Sequence, residues 1–278
     1  MKALIFGATG LLGKALVHEW LSDEVTGLGS RDVDIRDAGR VREVVAGIRP
    51  DWIVLAAAYT DVDGCESHRE LAFSVNRDGA VHVANAAKLV GAKFVFLSSD
   101  YVFDGTKTSP YEVSDVRNPQ SVYGSTKAAA EIEILEILPD CCIARTSWVF
   151  GVGGRCFPDT ILKLAASRPA LDVVNDQRGC PTYTVDLARA IIRLFRKNAR
   201  GIVHVTNSSE CTWFEFAQEI VKEAGLATEV RPTSSQQMAR PAPRPAYSVL
   251  SATSLRKYGI EMPGWRDALR RFLEERKR

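Results

Sequence analysis

The first half of the chain alternates short apolar runs with longer amphipathic ones. Residues 2–6 are mainly apolar and stop at Gly7, and residues 11–21 follow with apolar positions at helical spacing. The opening unit is therefore predicted to be strand, glycine turn, helix. The rhythm repeats with a strand over 25–28 and a helix over 41–48 after a cap region at Asp37. Residues 52–57 are continuously apolar, which predicts a strand buried on both faces. A long helix over 71–90 closes at Gly91, a strand follows at 94–97, a helix spans 121–138 before Pro139, and 141–144 is a further strand. After Gly151 the rhythm weakens. Residues 157–166, 185–195, 213–224 and 265–275 read as helices, 202–205 as a strand, and the Pro-, Ser- and Gln-rich stretch 231–245 as a loop.

Strands alternating with helices imply right-handed crossovers and a sheet covered on both faces. The predicted fold is α/β, a Rossmann-type doubly wound parallel sheet with a smaller C-terminal substrate-binding domain. Residues 1–150 would form the dinucleotide-binding domain, with 183–205 returning to it. Residues 151–182 and 206–278 would form the substrate domain, with the active site in the cleft between the two.

Composition narrows the function. The net charge of +2 over 278 residues gives no field for nucleic acid or a membrane surface, and the basic C-terminal residues read as the solvated end of a helix. No apolar run is long enough for a membrane span, and the N-terminus lacks the features of a secretory signal. The six cysteines form no CxxC pair and have no histidine cluster, so no metal site is expected. Reduced thiols in a cytoplasmic protein are the plain reading. A homodimer is left open.

Gly7, Gly10 and Gly13 stand between the first strand and the first helix. The first glycine permits the tight turn, the second a close approach of backbone to a pyrophosphate, and the third close helix–strand packing. Helix N–H groups and the positive dipole end then face the phosphates. The second strand ends at Gly29, followed by Ser30 and Arg31. An acid at that end would select NAD; a hydroxyl and a guanidinium there favour the 2′-phosphate of NADPH. Asp32 nearby keeps NADH open. Asp34 and Ile35 are expected to end a short third strand, where they could meet the adenine amino group and ring face. Ala56, Ala57 and Ala58 put small side chains at a strand end where ligands lie.

Tyr123 and Lys127 are four residues apart on one helix face. A free tyrosine is a poor acid at neutral pH, and a nearby ammonium is expected to draw its pKa down. Ser98 and Ser99 follow the strand before that helix. A serine there and the tyrosine can share one carbonyl oxygen, polarising it for hydride attack.

With these residues in place, the chain resembles the extended short-chain dehydrogenase/reductases, and within them the dTDP-4-dehydrorhamnose reductase family. The resemblance runs through Phe6 to Gly10, Arg49-Pro50-Asp51, Ala56 to Thr60, Asn76, Ser98 to Phe103, Tyr123 to Lys127, Arg145 to Phe150, Asn175-Asp176-Gln177 and Arg244-Pro245. It implies Tyr123 as proton donor, Lys127 on the nicotinamide ribose, and Ser99 as the family's catalytic Thr or Ser. It implies substrate contacts at Ser99, Asp100 and Trp148. Cofactor contacts would come from Gly10, Leu11, Leu12, Asp34, Ile35, Ala58, Tyr59 and Thr60, to which the residue reading adds Gly7, Gly13, Ser30, Arg31 and Ala57. Ala15 stands where some members carry an acid for magnesium, so no such site is expected. The implied reaction is NADPH-dependent reduction of a nucleotide-linked 4-keto sugar. Another 4-keto-6-deoxy sugar is one alternative. Another is a non-catalytic NADP-binding subunit like the regulatory subunit of methionine adenosyltransferase.

Overall fold

A computed structural model describes residues 1–277. Its centre is a six-stranded parallel sheet built from β1 (Lys2–Phe6), β2 (Glu24–Leu28), β3 (Trp52–Leu55), β4 (Lys93–Ser99), β5 (Cys142–Thr146) and a later strand, Gly201–His204. Alternate residues of each strand enter opposite layers. Ile5, Val54, Val95 and Cys142 pack under α1 (Leu11–Glu19) and the helix Thr184–Arg196. Leu4, Phe6, Ile53, Leu55, Phe96 and Cys141 pack under α2 (Ala38–Ile48) and the helix Gly79–Val90. Burial on both faces is why these strands read as unbroken apolar runs. The strand order, from Gly201–His204 through β5, β4, β3 and β1 to β2, reverses direction between β1 and β3. Their carboxyl ends therefore open a crevice at the switch point.

Three stretches differ from expectation. Residues 31–36 pair with no strand; they form turns that bury Val33 and Ile35 beneath the edge at β2. The helix expected over 71–90 is interrupted. Two short helices, α3 (Val62–Ser67) and α4 (Arg69–Phe73), lead into a π-turn at Ser74–Asp78 before α5 (Gly79–Val90). That wide turn faces Asn76 inward, where it is 1% exposed. The stretch 231–245 is not all loop, because part of it pairs with a strand described below.

Helix α6 (Val122–Ile137) lies between β4 and β5 and starts with Ser121 capping Gly124 N–H at 3.1 Å. Past β5 the chain builds a second core around Phe150, Phe216, Trp265 and Phe272. Its elements are β6 (Val149–Phe150), α7 (Phe157–Ala165), β7 (Ala170–Val174), β8 (Arg178–Gly179) and β9 (Thr182–Tyr183). The chain then returns through α8 (Thr184–Arg196) and β10 (Gly201–His204) to the main sheet. It leaves again for β11 (Cys211–Thr212), α9 (Trp213–Glu223), β12 (Glu229–Thr233), α10 (Ser235–Met238), α11 (Thr253–Arg256) and α12 (Trp265–Glu275). Strand β12 pairs with β7 alone, and a two-stranded ribbon tolerates the missing N–H of Pro232. A capping box between Ser234 and Gln237 then makes α10.

Candidate active site

A cleft of about 1020 Å³ opens above the switch point and runs from the glycine turn to the second core. At one end, Gly7 has φ of +88°, and a Cβ there would lie 2.5 Å from Ala57 N. A Cβ on Gly13 would lie 2.0 Å from Gly7 O. Both are close backbone approaches that only glycine allows. Helix α1 starts at Gly10 with no side-chain cap and no acid in its first turn. The N–H groups of that first turn need an outside acceptor. A pyrophosphate fits this cradle.

Leu11, Leu12, Ser30, Asp34, Ile35, Ala57, Ala58 and Thr60 line the same end. Arg31 and Tyr59 are not among the lining residues. Arg31 is exposed on the turn after β2, and the Tyr59 backbone is tied to Asn76, which accepts its N–H at 2.7 Å and donates to its carbonyl at 3.0 Å. Arg36 lines the cleft instead and grips Asp34 through Nε at 2.9 Å, which holds the Asp34 carboxyl below its usual range. The Asp32 carboxylate accepts the Gly29 N–H at 2.7 Å, so it closes the turn.

Strand β4 and helix α6 bring the other group together. A Cβ on Gly124 would lie 2.2 Å from Tyr101 O. The bare glycine lets α6 approach the turn after Ser99, and so Tyr123 reaches the cleft beside Ser99. Ser99 accepts the Tyr101 N–H at 3.2 Å and donates to Asp100 Oδ1 at 2.9 Å. Lys127 is 3% exposed and donates to Leu97 O at 2.7 Å, with the Phe96 ring 4.5 Å from its ammonium. Burial draws its pKa down to about 8, while Glu131 acts the other way.

The expected depression of the Tyr123 pKa does not appear. Burial raises it first, the Asp100 charge raises it further, and the Ser99 hydroxyl opposes them. The phenol thus keeps its proton at neutral pH, the state an acid needs.

Two features went unseen in the sequence, the aromatic partner of Trp148 and the network around Glu131. Trp148, at φ +46°, stacks on Trp213 with centroids 3.6 Å apart and planes 7° apart. Gly179 leaves room for its indole. The pair walls the cleft opposite the glycine turn, and no spacing links a residue after β5 to the start of α9. Glu131, fully buried, accepts from Ser98 Oγ at 2.5 Å, Arg145 Nε at 2.8 Å and Arg117 at 3.1 Å. Its place one turn beyond Lys127 was a usable signal.

A family model described as RmlD substrate binding domain matches residues 1–278. The spore coat polysaccharide biosynthesis protein SpsK of Bacillus subtilis is 42% identical over 277 residues, covering 99% of this chain and 98% of that protein. The dTDP-4-dehydrorhamnose reductase of Streptomyces griseus is 41% identical, covering 96% and 91%. A Bacillus anthracis dTDP-4-dehydrorhamnose reductase, solved in complex with NADP, superposes with a TM-score of 0.96 at 39% identity, covering 99% of each chain.

Proposed function

Since the chain belongs to the RmlD substrate binding domain family, we propose that it is an NADPH-dependent oxidoreductase that reduces dTDP-4-dehydro-6-deoxy-L-mannose to dTDP-L-rhamnose. The observation that carries this reading is that one cleft joins the uncapped first turn of α1 to Ser99, Tyr123 and Lys127. No helix among the described residues is long and apolar enough to cross a membrane. Six free, buried cysteines fit a reducing cytoplasm.

NADPH bound along the glycine turn supplies the hydride. Gly7, Gly10, Gly13 and the first turn of α1 hold its pyrophosphate, and Ser30 sits where a 2′-phosphate would come. The lack of a side chain at Gly29 and the commitment of Asp32 to backbone favour NADPH over NADH. Ser99 and Tyr123 donate to the sugar keto oxygen, polarising its carbon. Tyr123, kept protonated by burial, gives its proton to that oxygen as the alkoxide forms. Lys127 supplies the positive charge that steadies the resulting phenolate and reaches the nicotinamide ribose. Trp148 and Trp213 hold the hexose face. In the same reading, residues 1–150 and 183–205 carry the cofactor, and the rest carries the sugar nucleotide.

The test is NADPH consumption with dTDP-4-dehydro-6-deoxy-L-mannose generated in place, for wild type and Tyr123→Phe. The expected result is wild-type turnover that falls about 1000-fold in the variant with NADPH affinity kept. Turnover that survives moves the acid elsewhere. Wild-type turnover only with a different 4-keto sugar replaces the substrate. No turnover on any sugar, with NADPH bound, favours the non-catalytic subunit.

A further inference from the structure

Strand β4 and helix α6 are fastened together beneath the cleft. Lys127 and Glu131 stand one turn apart on α6, 3% and 0% exposed. Each is bonded to one of two successive residues of β4. Lys127 Nζ donates to Leu97 O at 2.7 Å, and Ser98 Oγ donates to Glu131 Oε1 at 2.5 Å. Glu131 also takes a forked bond from β5, where Arg145 Nε reaches Oε1 at 2.8 Å and Nη2 reaches Oε2 at 2.6 Å. Arg145 is the register partner of Ser98, so both meet the carboxylate from one level of the sheet. Arg117 Nη1 completes the set at 3.1 Å from Oε2. Each Glu131 oxygen thus accepts from two donors, which satisfies the buried charge.

The residues one step beyond this clamp line the cleft. Ser99 follows Ser98, Thr146 follows Arg145, and the two are register partners at the end of the sheet. Glu131 itself does not line it. The clamp also tells apart the two serines that end β4. The Ser98 hydroxyl has one proton and a buried carboxylate holds it, so Ser98 is a fastening and not a second donor to the sugar. The charges agree with the geometry. The titratable groups facing Lys127 are Tyr123 and Glu131 on its own helix and Cys65 from α3. Burial pushes the Cys65 thiol up to about 11, which keeps it neutral. Glu131 is the carboxylate that favours the ammonium against its burial.

We propose that Glu131 is a positioning residue for the reduction: it pins the ends of β4 and β5 to α6 and so fixes Ser99 relative to Tyr123 and Lys127. The inference rests on the reductase reading and deepens it.

The test is steady-state reduction of dTDP-4-dehydro-6-deoxy-L-mannose from about pH 6 to about pH 10 by wild type, Glu131→Gln and Ser98→Ala, with rates taken per folded molecule. Glutamine keeps the length and removes the charge. Alanine removes one bond and leaves both arginine pairs in place. Glu131→Gln is expected to lower kcat about 100-fold and keep KM for the sugar nucleotide within about twofold, the pattern of a misplaced reacting group. The upper limit of its pH profile, set at about 8 in wild type by the Lys127 proton, should fall by about one pH unit, because an amide does not favour the ammonium. Ser98→Ala should lower kcat about tenfold with KM and the upper pH limit kept, and it tests the clamp by itself if Glu131→Gln does not fold. A Ser98→Ala enzyme with wild-type kcat overturns the proposal. So does a Glu131→Gln enzyme that is less stable yet keeps the wild-type kcat and pH limit, since the carboxylate is then a structural ion pair only. A raised KM with kcat kept overturns it too, by making the network part of sugar binding. A wild type that reduces no sugar overturns it together with the reductase reading.

Discussion

Lys127→Met should make the protein more stable at neutral pH while removing its activity. The wild-type ammonium is buried, and burial lowers its pKa from 10.5 to about 8. Holding it charged inside the protein thus costs about 3 kcal/mol at pH 7. Methionine fills a similar volume with no charge. It forfeits the bond to Leu97 O at 2.7 Å, about 2 kcal/mol for a charged donor. The variant should then be about 1 kcal/mol more stable at pH 7, or about 2 °C in Tm.

The pH dependence isolates the cause. The unfolded chain holds this proton up to 10.5 and the folded chain only to about 8. Wild-type stability from this group is therefore depressed below about 8 and recovers as pH rises from about 8 towards 10.5. Methionine has nothing to titrate, so the variant's advantage should shrink and then reverse over that window. Urea unfolding of the cofactor-free proteins, followed by tryptophan fluorescence from pH 7 to pH 10, measures the gap. Buried tyrosines and cysteines titrate in the same range, but alike in both proteins, so they cancel. A gap that stays constant across the window would refute the claim that burial lowers the Lys127 pKa. Turnover should fall about 100-fold or more at every pH.

Gly29→Asp would put a Cβ 2.7 Å from the Thr9 methyl and a carboxylate at the end of β2, where the proposed binding mode sets the 2′-phosphate. The Kd for NADPH should rise about tenfold with that for NADH unchanged or lower, measured by cofactor fluorescence. Gly124→Ala would drive a Cβ against the Tyr101 carbonyl, which is backbone and cannot step aside; urea unfolding should show a loss of about 1–3 kcal/mol, with kcat falling in the surviving folded enzyme. Trp213→Ala removes the partner of Trp148. It should raise KM for the sugar nucleotide roughly fivefold, the worth of about 1 kcal/mol of stacking, and leave the Kd for NADPH alone.

The first half of the fold was legible because its strands are buried on both faces. Ile53 and Leu55 feed one layer while Trp52 and Val54 feed the other, so the run shows no polar position and its length alone marks a strand. The second half hides its strands. β7 exposes Asp172, and β12 holds Pro232, so neither shows an apolar run. Asp34 and Ile35, expected to end a short strand, lie instead in the turn at 31–36, where Val33 and Ile35 alternate with polar residues. The side chains are buried as that pattern predicts, yet the backbone lacks a neighbour to pair with. The π-turn was invisible because it shifts helical periodicity by only one position.

The site divides along the same line, between what is local and what the fold must supply. Gly7, Gly10 and Gly13 act on one turn, and Tyr123 and Lys127 share one helix face, so spacing was enough to find them. Glu131 lies only one turn further along that face, but its meaning depends on Arg145 of β5 and Ser98 of β4 arriving beside it. Asp100 is a more pointed case. A sequence shows an acid after two serines and cannot show that one oxygen will be buried without a donor. Burial raises the pKa of that carboxyl to about 6, against the Ser248 and Ser99 hydroxyls, so packing rather than spacing sets how readily it takes up a proton. Chemistry that depends on the charge state of a buried group is therefore written in packing across elements, and spacing along the chain indicates only where to look for it.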